Sequence, residues 1–403
     1  MTAERILTRP FLLLVAAHAL QALGFSSMLL LPLYLDHLGA GRAEIGLVMA
    51  AASVGGLVGR PLVGWGLDVV GRRPVLLVGT LILIAGMFLV AAIDGLGPLV
   101  YVMRILVGLG SGALFTGYFT LAADIIPTSR RTEGIALFGV SGLLPLLINP
   151  FADRIGIEPP DLRWFFPVMG LAIAASLLLL PGVPEPTGTR APERVTLRSA
   201  FDALKRVRMA PVWTATGVFA GLVAIFMSFA TVTAEARGAE NPSTVWLTYA
   251  LGAVAVRLVG AKLPDLLGPS RVAAAALLSY SSGFIVLAGA DSGTDFALAG
   301  LLGGIGHGYC FPVLMSQVVT RSPDALRGVA VAAFTGLWGV CRLVAAPTFG
   351  EIADVWGDAT MLYAAGASGL VGLSFWWVLE KAIGGSEAGL EARDPTPESA
   401  SAD

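Results

Sequence analysis

The chain is 403 residues long, 56% hydrophobic and only 13% charged, with a formal net charge of −2. Soluble domains carry roughly 25% charged residues, so this chain has too little polar side-chain surface to clothe a water-facing globule. With no basic block or aromatic ladder, nothing points to a nucleic-acid partner; Cys310 and Cys341 both lie in apolar runs, as packing residues and neither a disulfide framework nor a metal site.

Taken in order, apolar runs of spanning length fall at about 11–35, 44–67, 74–93, 97–124, 134–152 and 163–181. A polar interval follows, then runs at about 210–234, 243–263, 271–290, 294–320, 328–350 and 358–380. Most reach the roughly 20 residues needed to cross a bilayer. The first run continues for about 25 residues, too long for the apolar stretch of a cleavable signal. The expectation is an all-α membrane protein with 12 transmembrane helices in two six-helix bundles. Its parts are residues 1–181, a linker at 182–209, residues 210–384 and a tail at 385–403. The linker opens Pro-rich and becomes basic and amphipathic from Leu197 to Arg208, either a helix on the inner leaflet or a solvated connection. The acidic tail is expected to be disordered.

Lysine and arginine give the orientation. With the N-terminus inside, eighteen lie in cytoplasmic segments, four (Arg42, Arg154, Arg163, Arg237) in outside loops, and four (Arg60, Arg104, Arg257, Arg342) within spans. That bias puts both termini in the cytoplasm and makes the lipid bilayer of the inner membrane a partner.

Two repeats divide the chain. Arg60 to Asp68 is a step of eight and Asp68 to Gly71 a step of three; Arg257, Asp265 and Gly268 repeat both. Gly108-Leu109-Gly110-Ser111-Gly112 also matches Gly304-Ile305-Gly306-His307-Gly308, and Pro127 and Arg131 match Pro323 and Arg327 at the same offset of 196. Parallel repeats of six helices fit two bundles related by an axis along the membrane normal. In the first copy Gly64 is expected to let helices approach closely, Asp68 to end the incoming helix, and Gly71 to permit the turn. Arg72 and Arg73 hold the loop on the cytoplasmic side.

The Gly64–Arg73 segment resembles the loop 2–3 signature of the major facilitator superfamily, and the Asp265 copy resembles its weaker echo in loop 8–9. Arg104-Ile105-Leu106-Val107-Gly108-Leu109-Gly110 is similar to the family's fourth-helix motif, and Asp124 to Gly134 to its loop 4–5 pattern. The resemblance covers about residues 8–381 and implies the major facilitator fold. It also implies that Asp68 pairs near Arg130 or Arg131 and the start of the eleventh run at Gly328, as a conformational gate with Asp265 as its echo. The fifth run lacks the signature of drug/proton antiporters and carries Pro145 and Pro150, which would kink it.

Polar groups inside the spans are few. Arg104 is about two turns inside the outer face, either snorkelling to headgroups or charging a cavity, as the resemblance implies for proton-coupled members. His18 and His307 are the embedded histidines, each either a neutral packing residue or a coupling group. The cavity lining implied by the resemblance is Gln21, Phe25, Phe115, Tyr118, Met227, Phe311 and Gln317, where packing is the alternative for each aromatic. Arg342, mid-span in the eleventh run, has three possible compensations: an anionic group of the solute, free backbone carbonyls near Pro145 or Pro347, or an acid such as Asp36 or Glu351.

These readings converge on a secondary transporter of the inner membrane. It exports a small organic molecule (drug, sugar or metabolite) with protons, as an antiporter, without a cofactor or bound metal, acting as a monomer. Its rivals are an uncoupled or importing metabolite carrier and a membrane sensor that has lost transport. No nucleophile elbow, phosphate loop or H-E-x-x-H points to an enzyme.

Overall fold

Side-chain caps open the first helix and the tenth. The Thr8 hydroxyl accepts from the Phe11 N–H at 3.4 Å, with Pro10 in the first turn, and opens α1 (Arg9–His37). The computed structural model describes residues 6–127, 130–185, 198, 209–322 and 326–391. After α1 come α2 (Arg42–Val69), α3 (Arg72–Ala92), α4 (Pro98–Ile125), α5 in two pieces (Arg131–Val140 and Ile148–Arg154) and α6 (Pro159–Gly182). The second half holds α7 (Ala210–Ala236), α8 (Thr244–Leu258), α9 (Pro269–Ala288), α10 (Gly293–Arg321), α11 (Arg327–Trp356) and α12 (Asp358–Glu391). Ser292 and Asp295 cap α10 reciprocally.

Ten of these helices are long and apolar enough to cross a bilayer. The other two differ from the continuous spans expected. In α5 the helix stops at Val140 and resumes at Ile148 through a 3-10 turn at Leu144–Leu147 that contains Pro145. The missing N–H of that proline produces an interruption rather than a kink. α8 ends after 15 residues, and a five-residue helical turn, Leu263–Leu267, follows before Gly268. The last helix continues to Glu391, into the tail expected to be disordered, because extending a formed helix costs far less than starting one. The amphipathic segment Leu197–Arg208 lies outside the described residues, apart from Arg198.

In the first half α2 and α3 flank α4, and α1 and α3 pack on α6. In the second, α8 and α9 flank α10, α9 packs on α12, and α7 packs on α11 and α12. Two seams run between the halves, α2 along α11 and α5 along α8, and α7 also meets α1 and α2 across them. Small residues make these approaches possible. A Cβ on Gly108 would strike the Ala52 carbonyl, and one on Gly46 would strike that of Ala346 across the α2/α11 seam. Gly64 does not serve this purpose: a Cβ there would meet nothing within 4 Å. Its face of α2 has no close neighbour. Leu81 on α3, Leu171 on α6 and Val371 on α12 are exposed, forming an apolar lipid-facing belt, whereas α7 is buried over most of its length.

The two ends of the bundle differ in charge. The basic face carries Arg72, Arg73, Arg130, Lys262, Arg271, Arg321, Arg327 and Lys381. The acidic face carries Asp36, Glu44, Asp94, Asp153, Glu235, Asp354 and Asp358. Cations on the acidic face cap helix ends. Arg163 donates to Ala91 O at 2.7 Å, and Arg237 donates to Leu287 O at 2.8 Å and to Ala288 O and Ala290 O at 2.9 Å.

Candidate functional site

The α2–α3 corner is held by its own arginines. Gly71 adopts φ +117°, a conformation that only glycine takes without strain, and the chain reverses there. Arg72 is buried, forms an ion pair with Asp124 of α4 at 3.1 Å and donates to Leu67 O at 2.7 Å. Arg73 ties the same corner to the end of α6: its N–H donates to Glu185 Oε1 at 3.1 Å and its guanidinium to Val183 O. Asp68 does not end α2, which runs one residue further to Val69. It is half-buried in the last turn, where the helix dipole disfavours a carboxylate, and makes no hydrogen bond or ion pair among the described residues. Asp265 is exposed and equally unbonded. The side chain of Arg131 lies outside the described residues.

At the acidic face the halves are joined by polar contacts across both seams. α2 starts at Gly41, which has no side chain to cap it. The cap comes from the other half: Asp354 of α11 accepts from the N–H groups of Arg42 at 2.7 Å and Ala43 at 2.8 Å. Arg42 pairs with Asp36 on its own half and with Asp358 at 3.1 Å across the seam. The second seam repeats the device. Asp153 of α5 accepts from the N–H of Ser243 at 2.7 Å and its hydroxyl at 3.0 Å, at the N-cap of α8. A signal for this pair was present in the chain: Ala152-Asp153-Arg154-Ile155-Gly156 matches Ala353-Asp354-Val355-Trp356-Gly357, 201 residues on. Both glycines have positive φ. Burial raises the Asp153 carboxyl above its usual range, and the two Ser243 donors oppose that rise.

The interior holds the predicted polar residues in two aromatic nests. His18 Nδ1 lies 2.7 Å from Ser141 Oγ, with the rings of Phe138, Tyr118 and Phe119 at 4.7, 5.3 and 5.8 Å. His307 Nδ1 lies 2.5 Å from the Tyr249 hydroxyl, with Phe219 at 5.4 Å and Trp338 at 6.5 Å. Arg104 is 3% exposed. Arg342 lines a cavity of about 10 Å³ with Met49, Ser53, Met227 and Ser228, between α2, α7 and α11. A wider groove of about 430 Å³ on the outer face of α12, lined by Val371, Phe375 and Val378, offers no convergent polar groups.

The predicted lining does not come together as one surface. Met227 and Arg342 share the small cavity. Phe311 packs on Phe334 at 5.8 Å and Trp338 at 5.4 Å, and Phe115 is exposed against Phe119 at 4.7 Å. Phe25 is half-buried on the core of the first half, and Gln21 is buried. Tyr118 is wholly buried beside His18, because its face of α4 turns into its own half. Gln317 is buried with neither amide atom bonded among the described residues.

Helices of this length and polarity, paired across two seams with a ring of charge at each face, define a multi-pass membrane protein. The chain belongs to the Major Facilitator Superfamily, whose sequence profile matches residues 13–345. It is 27% identical to the uncharacterized MFS-type transporter STM4428 of Salmonella typhimurium, over 81% of this chain and 84% of that one. It is 24% identical to the multidrug resistance protein MdtL of Salmonella schwarzengrund, over 77% and 80%. The crystal structure of the nucleoside transporter NupG superposes with a TM-score of 0.76 at 14% identity, over 93% of this chain and all of that one. That of the human organic anion transporter MFSD10 gives 0.69 at 18%, over 91% and 99%. At these identities the superpositions speak for the fold alone.

Proposed function

We propose that this transporter exports a small organic molecule across the inner membrane by alternating access, coupled to protons, as a monomer. The basic face then lies in the cytoplasm with both termini, as the excess of lysine and arginine there favours. One observation carries the reading: Asp354 and Asp153 hold both seams shut at the acidic face. A conformer closed on that side loads from the basic side and releases outward once the two caps let go. An unbonded Asp68 is what a latch would look like while the basic face is not locked. The multidrug relative supports export. His18 and His307, each beside a hydroxyl, are protonatable groups embedded in the bundle and support coupling.

Proteoliposomes test this. With a pH gradient imposed, a coupled exporter accumulates its solute from a drug, sugar and metabolite panel on the acidic side. Accumulation that ignores the gradient would leave an uncoupled carrier, and no movement of any solute would remove the transport reading. Labelling of a cysteine at position 190 by an impermeant reagent from outside intact cells would reverse the orientation.

A further inference from the structure

Where α5 stops, the last carbonyls of its first piece lose the N–H groups that a continuous helix would supply four residues on. Phe138 O accepts instead from the Ser141 N–H and Val140 O from that of Leu143, both at 3.0 Å. Gly139 O receives a longer bond, 3.4 Å, from the Gly142 N–H. Its second partner comes from the other half: Arg257 Nη1 on α8 donates to it at 3.3 Å. Gly139 leaves the room for this, since a Cβ there would lie 2.9 Å from that nitrogen. Arg257 Nε is buried without a hydrogen-bond partner among the described residues, so among them the Gly139 carbonyl is what the guanidinium has.

The repeat supplies a comparison. Arg60 on α2 stands where Arg257 stands on α8, and Gly336 on α11 where Gly139 stands on α5. A Cβ on Gly336 would lie 3.9 Å from Arg60 Nη1, yet that nitrogen is buried and has no hydrogen-bond partner among the described residues. The difference lies in the acceptor. α11 is continuous from Arg327 to Trp356, so the Gly336 carbonyl is used inside its own helix, whereas the carbonyl end of the broken α5 is not. That end also carries the negative pole of a helix dipole, which favours a cation. We infer that the break in α5 is a cation socket filled by the guanidinium of Arg257, and that this contact is the fulcrum on which the halves rock; the second part rests on the transport reading above. Arg257 is the fourteenth residue of α8, roughly 20 Å below its start at the acidic face and within the ~30 Å hydrocarbon layer. Past this level the seams diverge: Gly64, four residues beyond Arg60, meets nothing within 4 Å, and Val259, two beyond Arg257, is 90% exposed. Opening the acidic face closes the basic one, which presses α8 onto α5 around Arg257 while the Asp153 and Asp354 caps exchange their donors for water. The caps therefore part and Arg257 stays seated.

The test uses the purified full-length protein with Cys310 and Cys341 replaced, and spin labels on cysteines at Leu137 and Leu258, exposed positions beside the socket on α5 and α8. A second pair of labels replaces Asp94 and Asp291 at the acidic face. In the double variant Asp153→Ala/Asp354→Ala the acidic-face distance should lengthen while the distance between positions 137 and 258 keeps its parental value. If the two lengthen together, the contact is a latch and the fulcrum is overturned. In Arg257→Ala the 137–258 distribution should broaden to longer values. Millimolar guanidinium chloride should bring back the short distance, and equal sodium chloride should not. Pro145→Ala lets α5 run on and use its own carbonyls, so it should abolish that rescue. Guanidinium acting no better than sodium, or acting equally well with Pro145→Ala, overturns the socket. Should Arg257→Ala fail to fold, Pro145→Ala alone decides: a 137–258 distribution that overlays on the parent's overturns the socket equally. An acidic face that stays shut in the double variant removes the rocking reading and the fulcrum with it, and leaves the socket to the guanidinium result.

Discussion

A single methyl group separates the glycines that matter from the one that does not. Gly108 faces the Ala52 carbonyl, so Gly108→Ala overpacks the α2/α4 contact and should cost about 1–3 kcal/mol. Gly64→Ala meets open space in a helix and should stabilise by about 0.5–1 kcal/mol. Thermal unfolding in detergent compares them, and equal losses would mean that α2 packs differently from this description. Gly71 was legible because a charged hairpin between two spans needs a positive φ. The use of Gly64 was not, because a small residue does not say which face of its helix meets a partner. Asp153 supplies a pH dependence at the same scale. Its carboxyl is raised by burial, so the folded protein holds this proton more tightly than the unfolded chain, whose aspartates titrate near about 3.9. Its contribution to stability is present in full below that value and is lost as pH rises through the raised pKa. In Asp153→Asn this decline should be absent from the curve of Tm against pH, and a curve parallel to the parent's would refute the assignment.

At the scale of elements, the α2–α3 corner distinguishes two adjacent arginines. Arg72 is buried against the half-buried Asp124 and Leu67 O, so Arg72→Gln leaves that carboxylate without its partner and should cost about 3–5 kcal/mol. The Arg73 side chain is 37% exposed beside Glu185, and Arg73→Gln should cost about 1 kcal/mol or less, fading further in high salt. The yield of monodisperse protein and its Tm read both; comparable losses would contradict this division of labour. The elements were legible in number and order because a span is a local property of some twenty residues. The break in α5 was only half legible. Pro145 forbids a hydrogen bond at that point, but whether the chain kinks or stops depends on what packs against it, and here α1 and α8 both do. The lining residues were less legible still, since a helix exposes about a third of its surface to any one neighbour and neither repeat says which third.

The whole molecule is organised by its two-fold repeat more fully than the motifs alone suggested. Arg257 on α8 donates to Gly139 O of α5 at 3.3 Å, and Arg60 on α2 reaches towards Gly336 of α11; both arginines and both glycines are 197 residues apart. The acidic-face caps obey the same symmetry, Asp153 on α8 and Asp354 on α2. No local window reveals such contacts, because the residues that meet at the Asp354 cap are more than 300 positions apart. The symmetry makes a prediction about the conformational equilibrium. Hydrogen bonds to a charged group contribute about 1.5–3 kcal/mol. Asp354→Ala removes two such bonds and frees the first N–H groups of α2 to find water, so the state closed at the acidic face should lose roughly that much. Since about 1.4 kcal/mol is a factor of ten, the ratio of open to closed molecules should rise about 10- to 100-fold. Asp354→Asn keeps one acceptor oxygen and should shift the ratio less. By symmetry Asp153→Ala should act in the same direction, through the α5/α8 seam. Spin labels on cysteines replacing Asp94 and Asp291, exposed on opposite halves at the acidic face, read the distance directly once Cys310 and Cys341 are replaced. The long-distance population should grow in either alanine variant and grow further in the double variant. Distance distributions that overlay on the parent's would mean that the caps follow the closure of the seams and do not hold it.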